Sequence, residues 1–569
     1  MKAESPLTRP EGFQGEFRED IEARAVYSEA AGIGRIIPRA VAVPRDPEDV
    51  VALVRWAGQH SLSLIPRGSG TSMAGGAIGP GVIVDLSRMN TIGPVDAVTG
   101  RIQVGPGALR SAVNSAAAEH GLRFPVDPSS GEYCTVGGMA ATNAAGAHSL
   151  LFGSTRRWVT ALDCVFADGS SARVTRGDPA PVNVPAVKRF LDEARPHILE
   201  AVSGGSLLAH PGVRKDSSGY ALREYAESGE LIDLLVGSEG TLAIIVGLEL
   251  ALTDLPGATS GVLGAFSSLE NAVTAAGKAR ELGAAACELL DRTFLEIAGG
   301  AALSGADSDR LDSTLPAPTA TALSSLPGGT EAVLLAEVEG ESAESAARLA
   351  EKVAAAFRES GATSVTLAFS PGEQHEIWEL RHAASPILSR LDPALKSMQF
   401  IEDGAVPPNR LAEYVLGVRA ALDRRGVKGV IFGHAGDAHI HVNPLIDVSA
   451  PDWRARIEGL LDDVVALTSR LGGTLSGEHG DGSLRAPLLA EVWAAEEIGL
   501  FAAVKSSFDP DGILNPGVKV PVAGQHAIAE VKYDPALDAL PEAARTALEF
   551  VSSERAYASS RLSLIDRAG

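Results

Sequence analysis

Three glycine-rich loops between Pro66 and Leu242, each next to a β-rich run, constrain the fold of this chain more than any other feature. The first, Pro66-Arg67-Gly68-Ser69-Gly70-Thr71-Ser72-Met73-Ala74-Gly75-Gly76, emerges from the strand LSLIPRG. Glycine lets backbone N–H groups approach an anion and take up positive φ, and the interleaved Ser and Thr add hydroxyl donors, so the chemistry suggested is pyrophosphate binding. The loop is neither a Walker loop nor a G-x-G-x-x-G that opens a helix, which disfavours a P-loop NTPase and a nicotinamide Rossmann domain. The second runs from Pro125 to Gly153 and contains Pro128, Thr135-Val136-Gly137-Gly138 and Asn143-Ala144-Ala145-Gly146. Small residues at that density permit a large planar group to lie against backbone. The third, Gly237-Ser238-Glu239-Gly240-Thr241-Leu242, precedes the apolar strand AIIVGLEL.

Around these loops, from about Pro38 to Leu252, short β-rich runs alternate with helical ones. AVAVP, VIVDL and RIQVGPG read as strands; DPEDVVALVRWAGQH and LRSAVNSAAAEHG read as helices, the first entered through Asp-Pro and the second stopped at Gly121. From Gly261 onward GVLGAFSS, AAACELLDR, AVLLAEVEG, SVTLAFS and MQFIEDGAV read as strands, and GVIFGHAGDAHIHVN as two strands around a turn. Helices are expected over Leu269 to Leu282, Ser342 to Phe357, NRLAEYVLGVRAALDRRG and Asp452 to Leu471. Antiparallel sheets covered by helices, an α+β unit, follow from that alternation. Ala301 to Gly329 reads as an exposed loop. The stretch without Asp, Glu, Lys or Arg from Tyr133 to Thr155 reads as irregular backbone, not a membrane span. A tail after Val520 carries one expected helix, Pro541 to Glu554, and no function is legible in it.

Three of the 12 histidines crowd into Gly433-His434-Ala435-Gly436-Asp437-Ala438-His439-Ile440-His441-Val442-Asn443, followed by Ser476-Gly477-Glu478-His479-Gly480-Asp481-Gly482. On an extended strand His439 and His441 share a face, and His434 can fold back across the turn. Neutral imidazoles with a carboxylate suit Zn, Mn or Fe, and His434, His441 and Glu478 together read as a metal site of catalytic type. Arg381, in Ile377-Trp378-Glu379-Leu380-Arg381-His382, reads either as a bidentate clamp for a substrate carboxylate or as a helix residue in an ion pair.

The three loops, in this order and at this separation, resemble the FAD-binding domain of the vanillyl-alcohol-oxidase (PCMH-type) flavoproteins. Within these the chain is most similar to the D-lactate, D-2-hydroxyglutarate and glycolate dehydrogenases, and AHSLLFGSTRRW and RKDSSGYAL resemble the FAD half of FAD/iron–sulfur fusion forms. The resemblance spans about Pro38 to Val520. It implies an α+β fold: a PCMH-type FAD-binding domain of two subdomains, and an α+β cap domain with an antiparallel, ferredoxin-like sheet. The expected division is an N-terminal segment 1–37, an FAD domain 38–255, a substrate/cap domain with the metal site 256–470, a segment 471–522 returning to FAD, and the tail 523–569.

By the same resemblance Pro66, Arg67, Gly68, Ser69, Gly70, Thr71, Ser72, Gly75 and Gly76 cradle the FAD pyrophosphate. Pro128, Thr135, Gly137, Gly138, Asn143, Ala145 and Gly146 line the flavin side, with Glu239, Gly240 and Thr241. Asn515, in Asp509-Pro510-Asp511-Gly512-Ile513-Leu514-Asn515-Pro516-Gly517-Val518-Lys519, lies near the flavin. His434, His441 and Glu478 become metal ligands, His479 the general base and Arg381 the carboxylate clamp. Two positions depart from the pattern. Ala438-His439 stands where many relatives have Gly-Asn, which leaves His439 a candidate ligand, substrate contact or packing residue. Ile401 stands near where relatives that take dicarboxylates carry Lys, which weakens the 2-hydroxyglutarate assignment.

The expected activity is oxidation of a small (D-)2-hydroxy acid to the 2-keto acid, with hydride passing to FAD. The alternatives are a flavin-dependent ether-lipid synthase, for which no acyl-tunnel segment is evident, and a flavoprotein subunit of a larger redox complex. Composition limits the partners. Lys plus Arg number 49 against 72 Asp plus Glu, a net charge of −23 that repels nucleic acid. Cys134, Cys164 and Cys287 are too few and too far apart to ligate an iron–sulfur cluster, so electrons are expected to leave through a quinone, a soluble carrier or a partner subunit. The polar N-terminus has no apolar h-region, no integral membrane segment is expected, a homodimer is admissible, and the expected location is the cytoplasm.

Overall fold

The computed structural model describes residues 6–303, 326–382 and 394–568. Most of the stretch expected to be an exposed loop, Ala301 to Gly329, lies outside them.

The first subdomain is a small mixed sheet. It orders β1 (Glu16–Arg18), β2 (Ala40–Val43), β4 (Val82–Asp85) and β3 (Leu64–Arg67), with β2 and β3 both parallel to β4. Strands β2 and β4 are buried throughout, as parallel strands covered on both faces must be. Helix Pro47–His60 packs on this sheet. Asp46 caps its start by accepting from the Asp49 N–H at 3.0 Å, Pro47 occupies the first turn, and Ser61 ends it in the left-handed conformation. A cap of that kind contributes about 1 kcal/mol. The second subdomain is antiparallel: β5 (Ile92–Asp96), β6 (Arg101–Val104), β10 (Ile244–Ala251), β8 (Val159–Val165) and β9 (Ser171–Thr175), in that order. A two-stranded ladder of β7 (Leu122–Arg123) and β11 (Thr253–Asp254) stands beside it.

The stretch between Tyr133 and Thr155 is not all irregular. Thr135 caps a helix, Val136–Thr142, which ends on Asn143 in the left-handed conformation. The pair Gly137-Gly138 lowers helix propensity, but the cap and the run Met139-Ala140-Ala141 outweigh it.

The third unit is an antiparallel sheet ordered β15 (Ala362–Ala368), β12 (Ala258–Phe266), β14 (Ala332–Gly340), β13 (Ala286–Asp291), β18 (Lys428–His434), β19 (His439–Asp447) and β16 (Leu395–Ser397), with β17 (Gly404–Ala405) also on β19. Helices Leu269–Glu281, Ala343–Glu359, Leu411–Arg425 and Trp453–Arg470 contribute to the core on one face, which takes in Cys287, Leu289, Ile431, Ile440 and Val442. Because side chains alternate along a strand, the intervening residues Glu288, Phe432, His434, His439, His441 and Asn443 share the opposite face. That face looks onto the glycine loops. MQFIEDGAV is therefore not one strand: pairing stops at Ser397 and resumes at Gly404, leaving Glu402 and Asp403 in irregular backbone, both buried among long-range partners. The chain then returns to the first sheet, where Leu514 bridges to Leu64 in parallel. Among the described residues no helix is long and apolar enough to cross a membrane.

Candidate active site

The glycine loops meet along one wall of a cavity of about 420 Å³. Residues 66–73 and 76 of the first loop with Ala77 just after it, Pro128, Thr135, Gly137 and Gly138 of the second, and Glu239 and Gly240 of the third line it. Glycine is required where the loops touch. A Cβ on Gly68 would stand 2.2 Å from Thr135 Oγ1, and one on Gly240 2.9 Å from the Pro66 ring. The hydroxyls of Ser69 and Ser72 are buried without a partner, an arrangement that an anionic ligand in the loop would satisfy. These donors and close backbone approaches fit the diphosphate of a dinucleotide cofactor.

Several expected cofactor residues stand behind the wall instead. Asn143 accepts from the Arg156 N–H at 2.9 Å, the Gly146 carbonyl accepts from Lys215 Nζ at 3.0 Å, and Thr241 donates to the Ser238 carbonyl at 2.6 Å. Gly75 abuts Ser483, and Ala145 is buried. Asn515 Nδ2 donates to the carbonyls of Gly76 at 3.0 Å and Glu239 at 2.8 Å, joining the first loop to the third. Arg67 lines the cavity, but its guanidinium is turned into the protein, donating to the carbonyls of Tyr27, Ala77 and Glu29.

Across the cavity, His434 Nε2, His441 Nε2 and Glu478 Oε1 form a triangle with edges of 3.3, 3.4 and 3.5 Å. Both imidazoles are oriented from behind. His434 Nδ1–H donates to Glu288 Oε1 at 2.6 Å, and His441 Nδ1–H donates to the Glu402 carbonyl at 2.8 Å. Burial lowers the His434 pKa, but the carboxylates of Glu288 and Glu478 outweigh it and raise the group above its usual value; a cation that displaces the Nε2 proton would meet two imidazole lone pairs and one carboxylate oxygen converging on one point. Donors bonded at about 2.0–2.1 Å to a tetrahedral cation lie about 3.3–3.4 Å apart, so the triangle has the dimensions of a divalent metal site. The second oxygen of Glu478 accepts from the buried Lys215 at 2.9 Å. Lys215 holds the Glu478 carboxyl well below its usual range, with help from His434 and against the opposing effect of burial. His439 belongs to the same group of potential ligands. Its Nε2–H donates to Asp403 Oδ1 at 2.8 Å, and its buried Nδ1 has no protein partner. Burial pushes its pKa down to about 4, so it is neutral and Nδ1 is a further lone pair.

His479 lines the same cavity and stacks on His441, their ring centroids 5.4 Å apart. Its Nδ1–H donates to Glu402 Oε2 at 2.7 Å, its backbone N–H donates to Asp403 Oδ2 at 2.9 Å, and its Nε2 lies 3.7 Å from Glu478 Oε1. Arg485 in turn pairs with both Glu402 and Asp403. Burial pulls the His479 imidazole down, but the carboxylates of Glu402 and Asp403 outweigh it and carry the group up to about 10.

Arg381, in helix Pro371–His382, also reaches the cavity wall. Its Nε donates to Glu288 Oε2 at 2.9 Å, and its guanidinium lies over the Phe432 ring at 4.5 Å. The structure therefore gathers His434, His441, Glu478, His479 and Arg381 around one space and adds Glu288, Glu402, Asp403, Lys215 and Arg485. Sequence reasoning gave none of these five a role, although Lys215 lies in RKDSSGYAL and Glu402 and Asp403 directly follow Ile401. The weak signal was acidic and basic residues inside apolar strands, such as Glu288 in ACELLD and Glu402-Asp403 in QFIEDG.

Two family models match the chain: an FAD binding domain over residues 38–175, and the C-terminal domain of FAD linked oxidases over residues 255–518. The chain is similar to the D-2-hydroxyglutarate dehydrogenase of Escherichia coli K12, with 30% identity over 534 residues, 91% of this chain and 51% of that protein. It thus spans about half the length of that relative. It is also similar to the glycolate oxidase subunit GlcD of Bacillus subtilis, with 29% identity over 516 residues, 90% of this chain and 94% of that one. In three dimensions it resembles the 4-ethylphenol oxidase of Gulosibacter chungangensis, with a TM-score of 0.63 at 15% identity, covering 89% and 94% of the two chains.

Proposed function

Since this chain belongs to the FAD-linked oxidases, we propose that it is a dehydrogenase that converts a small 2-hydroxy acid, of the size of D-lactate, glycolate or D-2-hydroxyglutarate, to the 2-keto acid. The observation that carries this reading is the convergence of His434 Nε2, His441 Nε2 and Glu478 Oε1 on the wall facing the three glycine loops. The two relatives, one a D-2-hydroxyglutarate dehydrogenase and one a glycolate oxidase subunit, support the same substrate class.

Bound FAD supplies the two-electron acceptor. His434, His441 and Glu478 would hold a divalent cation, Zn, Mn or Fe, which would supply positive charge to acidify a hydroxyl. Everything else comes from the chain. Arg381, oriented by Glu288, offers its fork to the substrate carboxylate and so sets which face of the α-carbon meets the cofactor wall. His479 takes the hydroxyl proton at Nε2, while Glu402 holds Nδ1 and settles the tautomer. An imidazole raised to about 10 is protonated at neutral pH and cannot act as a base. A divalent cation beside Glu478 would oppose the carboxylates of Glu402 and Asp403 and favour the neutral imidazole of His479. His439, in the same group of potential ligands, would be the candidate for a further donor to the ion. Electrons leave to a quinone, a soluble carrier or a partner subunit. The three cysteines are free and buried, which suits the reducing cytoplasm.

His479→Ala is expected to retain FAD and lose turnover by about 10²–10⁴-fold, as removal of a general base does. Chelation is expected to abolish activity in the wild type and added metal to restore it. Near-normal turnover in His479→Ala, or indifference to chelator, removes the corresponding group from the mechanism.

A further inference from the structure

The cofactor cavity is walled in part by the tail, to which the sequence assigned no role. The matched family regions end at residue 518. Beyond them the chain crosses back to the first subdomain, where helices Glu542–Ser553 and Arg561–Ala568 settle on helix Ile21–Val26. Ala547, Leu562 and Ile565 join an apolar cluster with Val26, Val41 and Ile83. This anchoring brings the turn between the two helices to the mouth of the glycine-loop cavity, where Ser552, Arg555 and Tyr557 line it.

Arg561 locks the turn in place. It is 4% exposed, and it donates to the Ala556 and Ser559 carbonyls of the turn, each at 3.3 Å, and to the Ser69 carbonyl of the first glycine loop at 3.2 Å. The tail and the phosphate-binding loop are therefore one packed unit. Arg555 follows the helix with φ of +53°, the left-handed conformation in which glycine is the usual residue. A side chain there costs about 1–2 kcal/mol, so a long charged one at the cavity mouth calls for a reason.

Charge supplies that reason. A dinucleotide diphosphate carries two negative charges, and apart from Arg67 the first loop offers it only neutral donors. Of the cavity-lining residues, only Arg67, Arg381 and Arg555 carry a fixed positive charge. The Arg67 guanidinium is turned inward onto three carbonyls, and Arg381 is paired with Glu288 on the opposite wall. Arg555 is exposed, and among the described residues no carboxylate pairs with it.

We propose that the turn between the two tail helices is part of the FAD site and that Arg555 is the cation for the cofactor's diphosphate. The inference rests on FAD as the cofactor and is independent of the substrate. A purified wild-type protein without bound flavin would refute that premise itself. With FAD present, the test is a titration of FAD and, separately, riboflavin into the stripped full-length protein, followed by flavin fluorescence, for wild type, Arg555→Ala and Arg555→Lys. If the stripped protein does not survive, the rate of FAD loss on dilution of the holoprotein gives the same comparison. Arg555→Ala is expected to weaken FAD about tenfold and flatten the dependence of its affinity on salt. Riboflavin, which lacks the diphosphate, should bind both forms alike, and Arg555→Lys should recover most of the loss. An unchanged FAD affinity or dissociation rate in Arg555→Ala, or an equal loss for FAD and riboflavin, overturns the proposal.

Discussion

Glu288 accepts from His434 on one oxygen and from Arg381 on the other, so one buried carboxylate orients both a candidate metal ligand and the candidate substrate clamp. His434 and Arg381 together hold its carboxyl far below the usual range despite complete burial. Glu288→Gln preserves the shape but replaces one acceptor with an NH₂ group that cannot accept. It is expected to lower metal affinity about 10–100-fold, as loss of a partner behind a ligating histidine does, with FAD content unchanged. Competition with a coloured chelator measures this, and an unaltered affinity would show that His434 needs no such support. Sequence exposed one side of this chemistry and hid the other. His434, His441, Glu478 and His479 fall in two short motifs and could be picked out by eye. Glu288 reaches His434 across 146 residues, Lys215 reaches Glu478 across 263 and Arg485 reaches Glu402 across 83, and no local pattern encodes a pairing of that kind.

At the scale of elements, strand periodicity does most of the positioning. The two-residue repeat of β13, β18 and β19 puts their apolar residues against helices and their histidines against the cavity, which is why the histidine cluster was legible before its partners were. The strand assigned to MQFIEDGAV failed because composition favours pairing there, while the partners that interrupt it, His479, His439 and Arg485, come from elsewhere in the chain. The glycine loops depend on one another in a similar way. Gly68→Ala drives a methyl group into Thr135, and overpacking of that kind costs about 1–3 kcal/mol. The variant is expected to purify with reduced FAD content and a lowered melting temperature. Full flavin occupancy would show that the first two loops can separate without consequence.

At the scale of the whole molecule, the glycine-loop subdomains and the third sheet unit are joined by charged contacts as well as by chain. His148, in the second glycine loop, donates from Nδ1 to Asp127 at 2.5 Å and from Nε2 to Glu337 of the third sheet at 2.8 Å, and Arg123 pairs with Glu339 at 2.6 Å. Burial pulls His148 down, but Asp127 and Glu337 together raise it well above the usual histidine value. A group whose folded pKa is raised stabilises fully below its unfolded pKa of about 6.5 and loses that contribution as pH rises through the folded value. His148→Gln is therefore expected to cost on the order of 2 kcal/mol near pH 6, with the gap to wild type closing at alkaline pH. Thermal unfolding of both proteins across that range checks this, and a gap that is constant or widens with pH would contradict it. The central claim is that the cavity joining these units brings a 2-hydroxy acid to a flavin. Anaerobic addition of D-lactate, glycolate and D-2-hydroxyglutarate to the purified holoprotein, followed by the visible flavin absorbance, tests it most directly. At least one of these acids should bleach the flavin, and His479→Ala should not respond. A flavin that dithionite reduces but that none of the three acids bleaches would contradict the account.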